Sequence, residues 1–205
     1  MANLIITIGR ECGSGGHTIA KRVSEKLGLP FYDKKIVDMA SAKTKLSPEF
    51  IESNGEYFHG GSLGHVFGYG ARFGFDGTGG TGSSLSDQLY QAQSEIVLEI
   101  AEKESCVIVG RCADYILENK HPTLNVFIFS DMPFKIERSI REHNMNPEKA
   151  ESILKRRDKA RAEHYRFYTD KKWGERDNYD LCLDSGRLGE DLCVELIAAA
   201  YERLK

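Results

Sequence analysis

The sequence has little that suits a membrane protein or a disulfide-stabilised secreted protein. Its 205 residues include five cysteines but no C-x-x-C pair, and no apolar run approaches the ~20 residues needed to cross a bilayer. The formal net charge is −3, so overall basicity does not indicate nucleic-acid binding. No basic region precedes the short apolar run at the N-terminus, unlike in a signal peptide. We therefore expect a cytoplasmic protein with no membrane or nucleic-acid partner.

The composition is ordinary for a globular protein, with 40% apolar and 29% charged residues. The length suffices for one domain with a full core, so we expect a single domain over residues 1–205. Cys106, Cys182 and Cys193 lie in apolar surroundings. We predict that these three are reduced core residues.

The stretch from Ile5 to Val23 combines a strand pattern, a glycine-rich turn and a helix pattern. The first residues, IITI, are apolar or β-branched and favour a central strand. Gly13, Gly15 and Gly16 allow a ligand to approach the main chain closely. A turn of this kind directs backbone N–H groups and the positive end of a helix at one point, which is the geometry of a phosphate site.

This turn matches the phosphate-loop signature G-x-x-x-x-G-K-S/T only in part. One register puts Arg10 at the first glycine, Gly15 at the second, Gly16 at the lysine and Thr18 one residue after the hydroxyl position. The lysine is therefore missing. On the turn alone, a plain strand-to-helix connection is the competing interpretation.

Strand and helix patterns alternate along the chain, which predicts an α/β fold with a parallel sheet and helices on both faces. Ligands of such sheets bind beyond the carboxyl ends of strands. Asp33 ends the second predicted strand, and Arg111 follows the buried strand at 105–109, with Asp114 one turn later. Asp33 is therefore a candidate site residue, Arg111 is placed to hold an anion, and Asp114 can orient Arg111 or contact a polar ligand. An N-cap role for Asp33 and a surface ion pair for Arg111 are the alternatives.

Residues 54–86 differ in composition from the rest of the chain. Eleven of the 20 glycines fall there, among six aromatic residues. Glycine at this density disfavours regular structure, while the aromatic side chains have apolar area to bury. We predict a flap or small insert that closes on a substrate or packs on a second subunit, which makes a homodimer our expectation. A disordered surface loop is the alternative.

A basic helix is predicted within residues 146–176. Lys155 to Arg176 holds nine basic and four acidic residues. Such a run is usually a solvated helix face. In a phosphate-binding protein it can instead supply arginines to a phosphoryl group in transfer.

Taken together, these motifs resemble the cytidylate-kinase-like family of P-loop nucleoside monophosphate kinase relatives. The resemblance rests on ITIGRECGSGG, FYD, CVIVGRCADYIL, KRRDKAR and LCLDS, and covers nearly the whole chain apart from the glycine-rich segment. It implies a three-layer P-loop NTPase-like fold with five parallel strands in the order 2-3-1-4-5. It also implies ATP and Mg²⁺ as cosubstrates, an acceptor-side insert and a helical lid that carries arginines.

The resemblance also implies roles for individual residues. The donor phosphates would be held by residues of the glycine-rich turn, with Thr18 near Mg²⁺: Gly13, Ser14, Gly15, Gly16, His17 and Thr18. The acceptor would be held by Asp33, Arg111 and Asp114, and Arg157 and Arg161 would be lid arginines. Asp184 and Ser185 would lie near the adenine or at the end of the last strand. Cytidylate kinases have a lysine where this chain has Gly16, and Arg10 and His17 are the best-placed replacements. The predicted function is ATP-dependent phosphoryl transfer to a small acceptor such as CMP. An inactive nucleotide-binding sensor or interaction module is the alternative.

Overall fold

The computed structural model describes residues 3–54 and 85–205. Five strands in this part of the chain form one parallel sheet, in the order β2-β3-β1-β4-β5. The strands are β1 (Ile5–Arg10), β2 (Phe31–Tyr32), β3 (Val107–Val109), β4 (Thr123–Phe129) and β5 (Leu181–Asp184). This is the predicted fold class and strand order. The central position of β1 places the glycine-rich turn in the middle of the carboxyl edge.

Eight helices of the described ranges connect and flank the strands. They are α1 (Gly16–Leu27), α2 (Lys34–Thr44), α3 (Pro48–Asn54), α4 (Leu85–Lys103), α5 (Ala113–Ile116), α6 (Met132–His143), α7 (Pro147–Thr169) and α8 (Ser185–Leu204). Asp131 and Asn146 cap α6 and α7, each followed by a proline in the first turn. Within the described residues, no helix is long and apolar enough to span a membrane.

Apolar side chains of the strands separate onto two faces because neighbouring residues of a strand point in opposite directions. Ile6 and Ile8 pack in a cluster with α1 and α8, whereas Ile5 packs in a second cluster with α2, α4 and α5. Both faces of β1 are therefore covered, as its unbroken apolar sequence predicts. Because β1 is packed on both faces, its carboxyl end, where the glycine-rich turn begins, is held in place by the core.

Two sequence expectations need correction or fall outside the described residues. Cys106 and Cys193 are buried as predicted, but Cys182 is exposed, so the prediction of a core position for it was wrong. β5 is the edge strand, and Cys182 points away from the face on which Leu183 packs. Of the predicted insert at 54–86, residues 55–84 lie outside the described residues.

Candidate active site

The glycine-rich turn joins β1 to α1, and two of its glycines adopt backbone angles that only glycine tolerates well. Gly13 has φ 83° and Gly15 has φ 81°. A Cβ atom would lie 2.9 Å from the carbonyl oxygen of Lys135 at Gly13, and 2.8 Å from Glu190 Oε1 at Gly15. Both positions therefore require glycine for conformation and for space. The first-turn N–H groups of α1 lack acceptors within the helix, and a helix N-terminus of this kind suits an anion.

Arg10 explains why the turn has no lysine at Gly16. A Cβ atom at Gly16 would lie only 2.4 Å from Arg10 Cβ and 3.0 Å from Arg10 Cγ. The arginine at the end of β1 thus fills the space in which the side chain of the signature lysine would begin. The two departures from the signature, Arg10 for glycine and Gly16 for lysine, compensate each other sterically.

The first turn of α1 directs its side chains towards two different partners. His17 Nε2 lies 3.2 Å from Asp33 Oδ2, whereas the Asp33 side chain makes no capping hydrogen bond to α2. Asp33 therefore occupies the N-cap position of α2, as the alternative interpretation predicted, but its carboxylate faces His17 and does not cap the helix. Thr18 Oγ1 accepts a hydrogen bond of 3.1 Å from Arg138. A metal ion at Thr18 would have to displace this guanidinium group, and its role as a Mg²⁺ ligand stays a prediction.

A cavity opens at the carboxyl edge of β1 and β3. It is lined by Thr7, Ile8, Gly9, Arg10, Gly110, Arg111, Cys112, Asp114, Arg161, His164, Tyr165, Trp173 and Tyr179. Four of the predicted site residues come together here, namely Arg10, Arg111, Asp114 and Arg161. The cavity therefore joins the end of β1, the turn after β3 and the predicted lid helix. The other predicted site residues with charged side chains, His17, Asp33 and Arg157, are not part of this lining.

The turn after β3 holds its side chains through an unusual backbone conformation. Gly110, Arg111 and Cys112 all have positive φ, at 69°, 61° and 54°. Two of them are not glycine, and such strain is concentrated at functional sites. Arg111 is only 7% exposed, and it is among the residues that line the cavity. A buried arginine in this position suits an anionic group of a ligand.

Asp114 gives the same cavity a buried carboxyl group. Tyr165 donates a hydrogen bond of 2.7 Å to Asp114 Oδ2. Burial raises the pKa of Asp114, an effect that the Tyr165 hydroxyl only partly offsets. Burial and the neighbouring Asp114 carboxylate together raise the pKa of Tyr165, so its hydroxyl remains a donor. The pair presents a hydrogen-bond acceptor close to the cationic Arg111.

The predicted lid helix, α7, contacts the glycine-rich turn directly. Arg161 donates a hydrogen bond of 3.3 Å to the carbonyl oxygen of Arg10, and Arg157 lies 3.9 Å from Cys12 Sγ. Both predicted lid arginines thus reach the turn. Asp158, between them, accepts a hydrogen bond of 2.6 Å from the Cys12 N–H. No local pattern marks this carboxylate in the sequence, because it lies within a run of basic residues.

Two buried cations beside the turn were also missed. Lys135 Nζ lies 2.8 Å from Glu11 Oε2, and Arg138 lies 2.9 Å from Glu190 Oε1. Both stand on α6, with side chains only 6% and 5% exposed. Their spacing of three residues puts them on one face of the helix after β4, and that face was the available signal. Because the residues are charged, the pattern looks like a solvated face.

The last strand anchors the turn from the opposite side. Asp184 ends β5 and caps α8, accepting hydrogen bonds from the Gly186 and Arg187 N–H groups. The buried Ser185 hydroxyl donates a hydrogen bond of 2.5 Å to the carbonyl oxygen of Ser14. Asp184 therefore stands at the end of the last strand, one of the two positions that the resemblance implied.

A match to a family model agrees with this geometry. The model for the cytidylate kinase-like family matches residues 5–187. The chain belongs to the cytidylate kinase-like family.

Individual relatives support the same assignment. A cytidylate kinase from Methanoregula boonei is 30% identical over 109 residues, which span 52% of this chain and 59% of that protein. The chain thus spans less than two thirds of that relative. An uncharacterized protein from Eubacterium ventriosum has a structure with a TM-score of 0.71 at 27% identity, covering 98% of this chain and 99% of that one. A gluconokinase from Sinorhizobium meliloti has a TM-score of 0.56 at 15% identity, covering 98% and 92%, and supports the fold alone.

Proposed function

We propose that this family member transfers a phosphoryl group from ATP to a small acceptor, with CMP as the first acceptor to test. One observation carries the proposal: Arg10 of the donor loop, Arg111 and Asp114 of the acceptor side and Arg161 of the lid border a single cavity. Donor and acceptor groups meet in such a cavity, as phosphoryl transfer requires. The cytidylate kinase among the relatives suggests the choice of CMP.

The glycine-rich turn fits the phosphates of ATP. Residues 13–18 offer backbone N–H groups and a helix N-terminus, while Arg10 and Arg157 bring positive charge to the same turn. No cluster of three or more histidine, cysteine or acidic side chains that could hold a metal occurs within 3–54 and 85–205. Mg²⁺ is commonly held by one or two carboxylates together with substrate phosphates, so this donor set is compatible with an ion that arrives with ATP. When bound, Mg²⁺ would neutralise part of the phosphate charge.

The acceptor side of the cavity fits a molecule with both an anionic group and a hydrogen-bond donor. Arg111 would hold the anion, and Asp114 would accept a hydrogen bond from a hydroxyl or amino group. Arg161 would lie between acceptor and donor and stabilise the charge on the group in transfer. His17 and Asp33 pair on the α1 side, and we propose that acceptor binding draws Asp33 from His17 towards the cavity.

The alternative is a nucleotide-binding sensor or interaction module without activity. The missing lysine at Gly16 favours it, because that side chain follows the charge of the phosphoryl group in the signature loop. In either case we propose that the partners are small molecules in the cytoplasm and that residues 54–86 mediate a homodimer. Light scattering tests the dimer, and a monomeric mass would contradict it.

A coupled assay of ADP release tests the function. It is run with Mg²⁺, ATP and a panel of acceptors that includes CMP, dCMP and UMP. Acceptor-dependent turnover that falls at least about a hundredfold in Arg111→Ala would support the kinase. An ATP-induced rise in melting temperature without turnover on any acceptor would favour the sensor. If ATP neither binds nor reacts, the kinase proposal and the sensor proposal are both wrong.

A further inference from the structure

A buried ion cluster joins the glycine-rich turn, α6 and the lid helix. Lys135 Nζ lies 2.8 Å from Glu11 Oε2 and 3.1 Å from Asp158 Oδ2. The Lys135 side chain is 6% exposed, and that of Asp158 is 15% exposed. A buried ammonium group is costly unless it is paired, and here two carboxylates from different elements pair it. The cluster therefore fixes a cation beside the turn.

Asp158 bridges this cation and the backbone of the turn. One carboxylate oxygen, Oδ1, accepts the Cys12 N–H at 2.6 Å, and the other, Oδ2, faces Lys135 Nζ at 3.1 Å. A backbone N–H and a lysine ammonium are the two kinds of group with which a phosphate loop holds a phosphate. Two oxygens of a phosphate are spaced much like those of a carboxylate. The two carboxylate oxygens of Asp158 therefore take the positions that two oxygens of a bound phosphate would take.

The backbone and Cβ of Lys135 pack directly against the turn. An added Cβ at Gly13 would lie 2.9 Å from the Lys135 carbonyl oxygen and 3.1 Å from Lys135 Cβ. The lysine stem therefore begins in contact with the turn, although the residue lies far away in the sequence. The position at which the signature places its lysine, Gly16, is closed by Arg10. A lysine beside the turn therefore has to come from another element, and α6 supplies one.

We infer that Lys135 binds the phosphate chain of the donor in place of the missing signature lysine, and that Asp158 occupies its site until the donor arrives. This inference rests on the proposed function. On donor binding, a phosphate oxygen replaces Asp158 Oδ1 at the Cys12 N–H, and a second replaces Oδ2 at Lys135. Asp158 then leaves with the lid helix, while Glu11 continues to pair Lys135.

The protonation state of Lys135 suits this role. Burial by itself lowers the pKa of Lys135, but the hydrogen bond to Glu11 and the charges of Asp158 and Glu11 outweigh it and raise the pKa. The ammonium group is therefore charged at neutral pH. Because Glu11 makes the shorter of the two contacts, we expect the charge to remain when Asp158 is displaced.

The test compares ATP affinity, measured by titration calorimetry with Mg²⁺, in variants that break the same ion pair from opposite sides. Lys135→Met should weaken ATP binding roughly tenfold to a hundredfold, because a charge-assisted contact is lost. Lys135→Arg should retain most of the affinity. Asp158→Asn should tighten binding at least about threefold, because the competing carboxylate is gone. Lys155→Met is the matched lysine control, since its side chain is 64% exposed and pairs with Glu151.

Glu11→Gln separates displacement from general electrostatics. It removes the same charge from the same lysine, but Glu11 does not accept the Cys12 N–H. Tightening in Asp158→Asn without tightening in Glu11→Gln would support the inference. Equal tightening in both would reduce Asp158 to a nearby charge and overturn the displacement. Weaker binding in Asp158→Asn would show a merely structural ion pair. This comparison remains decisive if Lys135→Met does not fold.

Wild-type behaviour separates this inference from the proposed function. If wild-type protein binds and turns over ATP while Lys135→Met binds ATP equally well, the inference alone is wrong. If wild-type protein does not bind ATP, the proposed function is wrong and the inference with it.

Discussion

Restoring the signature lysine is predicted to damage this protein. In Gly16→Lys the new Cβ would lie 2.4 Å from Arg10 Cβ, whereas carbon atoms in favourable contact are about 3.5–4.0 Å apart. Arg10 Cβ is attached to a strand that is covered on both faces, so it cannot retreat without moving β1. Overpacking of this kind costs about 1–3 kcal/mol. For a chain of this length that corresponds to a loss of roughly 2–12 °C in melting temperature.

The same reasoning predicts that a second substitution relieves the damage. Arg10→Gly combined with Gly16→Lys recreates the signature at both positions and removes the overlapping atoms. Thermal denaturation should show the double variant closer to wild type than Gly16→Lys alone, a non-additive result expected of touching residues. His17→Lys is the control, because it adds a lysine one residue later at an exposed side chain. A wild-type melting temperature for Gly16→Lys, or no recovery in the double variant, would refute the steric explanation.

Three further predictions concern the lid, the cavity and the core. Arg157→Ala should lower turnover at least about a hundredfold, far more than it lowers ATP affinity, and unchanged turnover would remove Arg157 from the mechanism. The pKa of Asp114 is raised above its usual 3.8, so the wild type loses stability as pH rises through the folded pKa. Asp114→Asn should therefore gain stability relative to wild type in urea denaturation as pH rises from about 4 to 7, and a constant difference would contradict this. Phe127 packs on Trp173, Tyr179 and Gly174, so Phe127→Ala should cost about 3–5 kcal/mol in the same assay, and a loss within error would refute that packing.

The sequence was informative where local pattern and tertiary environment agree. β1 is an unbroken apolar run with two covered faces, and the glycines after it occupy positions that need positive φ, so strand and turn were both predictable. Arg111 and Asp114 followed from the rule that ligands bind beyond the carboxyl ends of strands, and the cavity contains both.

Other features were hidden because they depend on distant parts of the chain. Lys135 and Arg138 look like surface residues of an amphipathic helix, and only the packing of α6 against the turn buries them. Asp158 lies within a run of mainly basic residues, and the positive net charge of that run indicates a role for the arginines and not for the carboxylate. Cys182 has apolar neighbours in sequence but stands on an edge strand, where one face is left open. The environments of these four residues depend on contacts between elements that are distant in sequence, and the local pattern of apolar and polar residues does not indicate such contacts.

The hydrogen bonds that hold the glycine-rich turn also determine when the turn can form during synthesis of the chain. The Cys12 N–H meets a carboxylate 146 residues later, and the Ser14 carbonyl meets a hydroxyl 171 residues later. During synthesis the ribosome releases the turn well before the residues that support it. A nascent chain that stops before Ser185 carries the whole glycine-rich motif but not the groups that shape it. The turn therefore reaches its final geometry only after both of these distant residues have been synthesised.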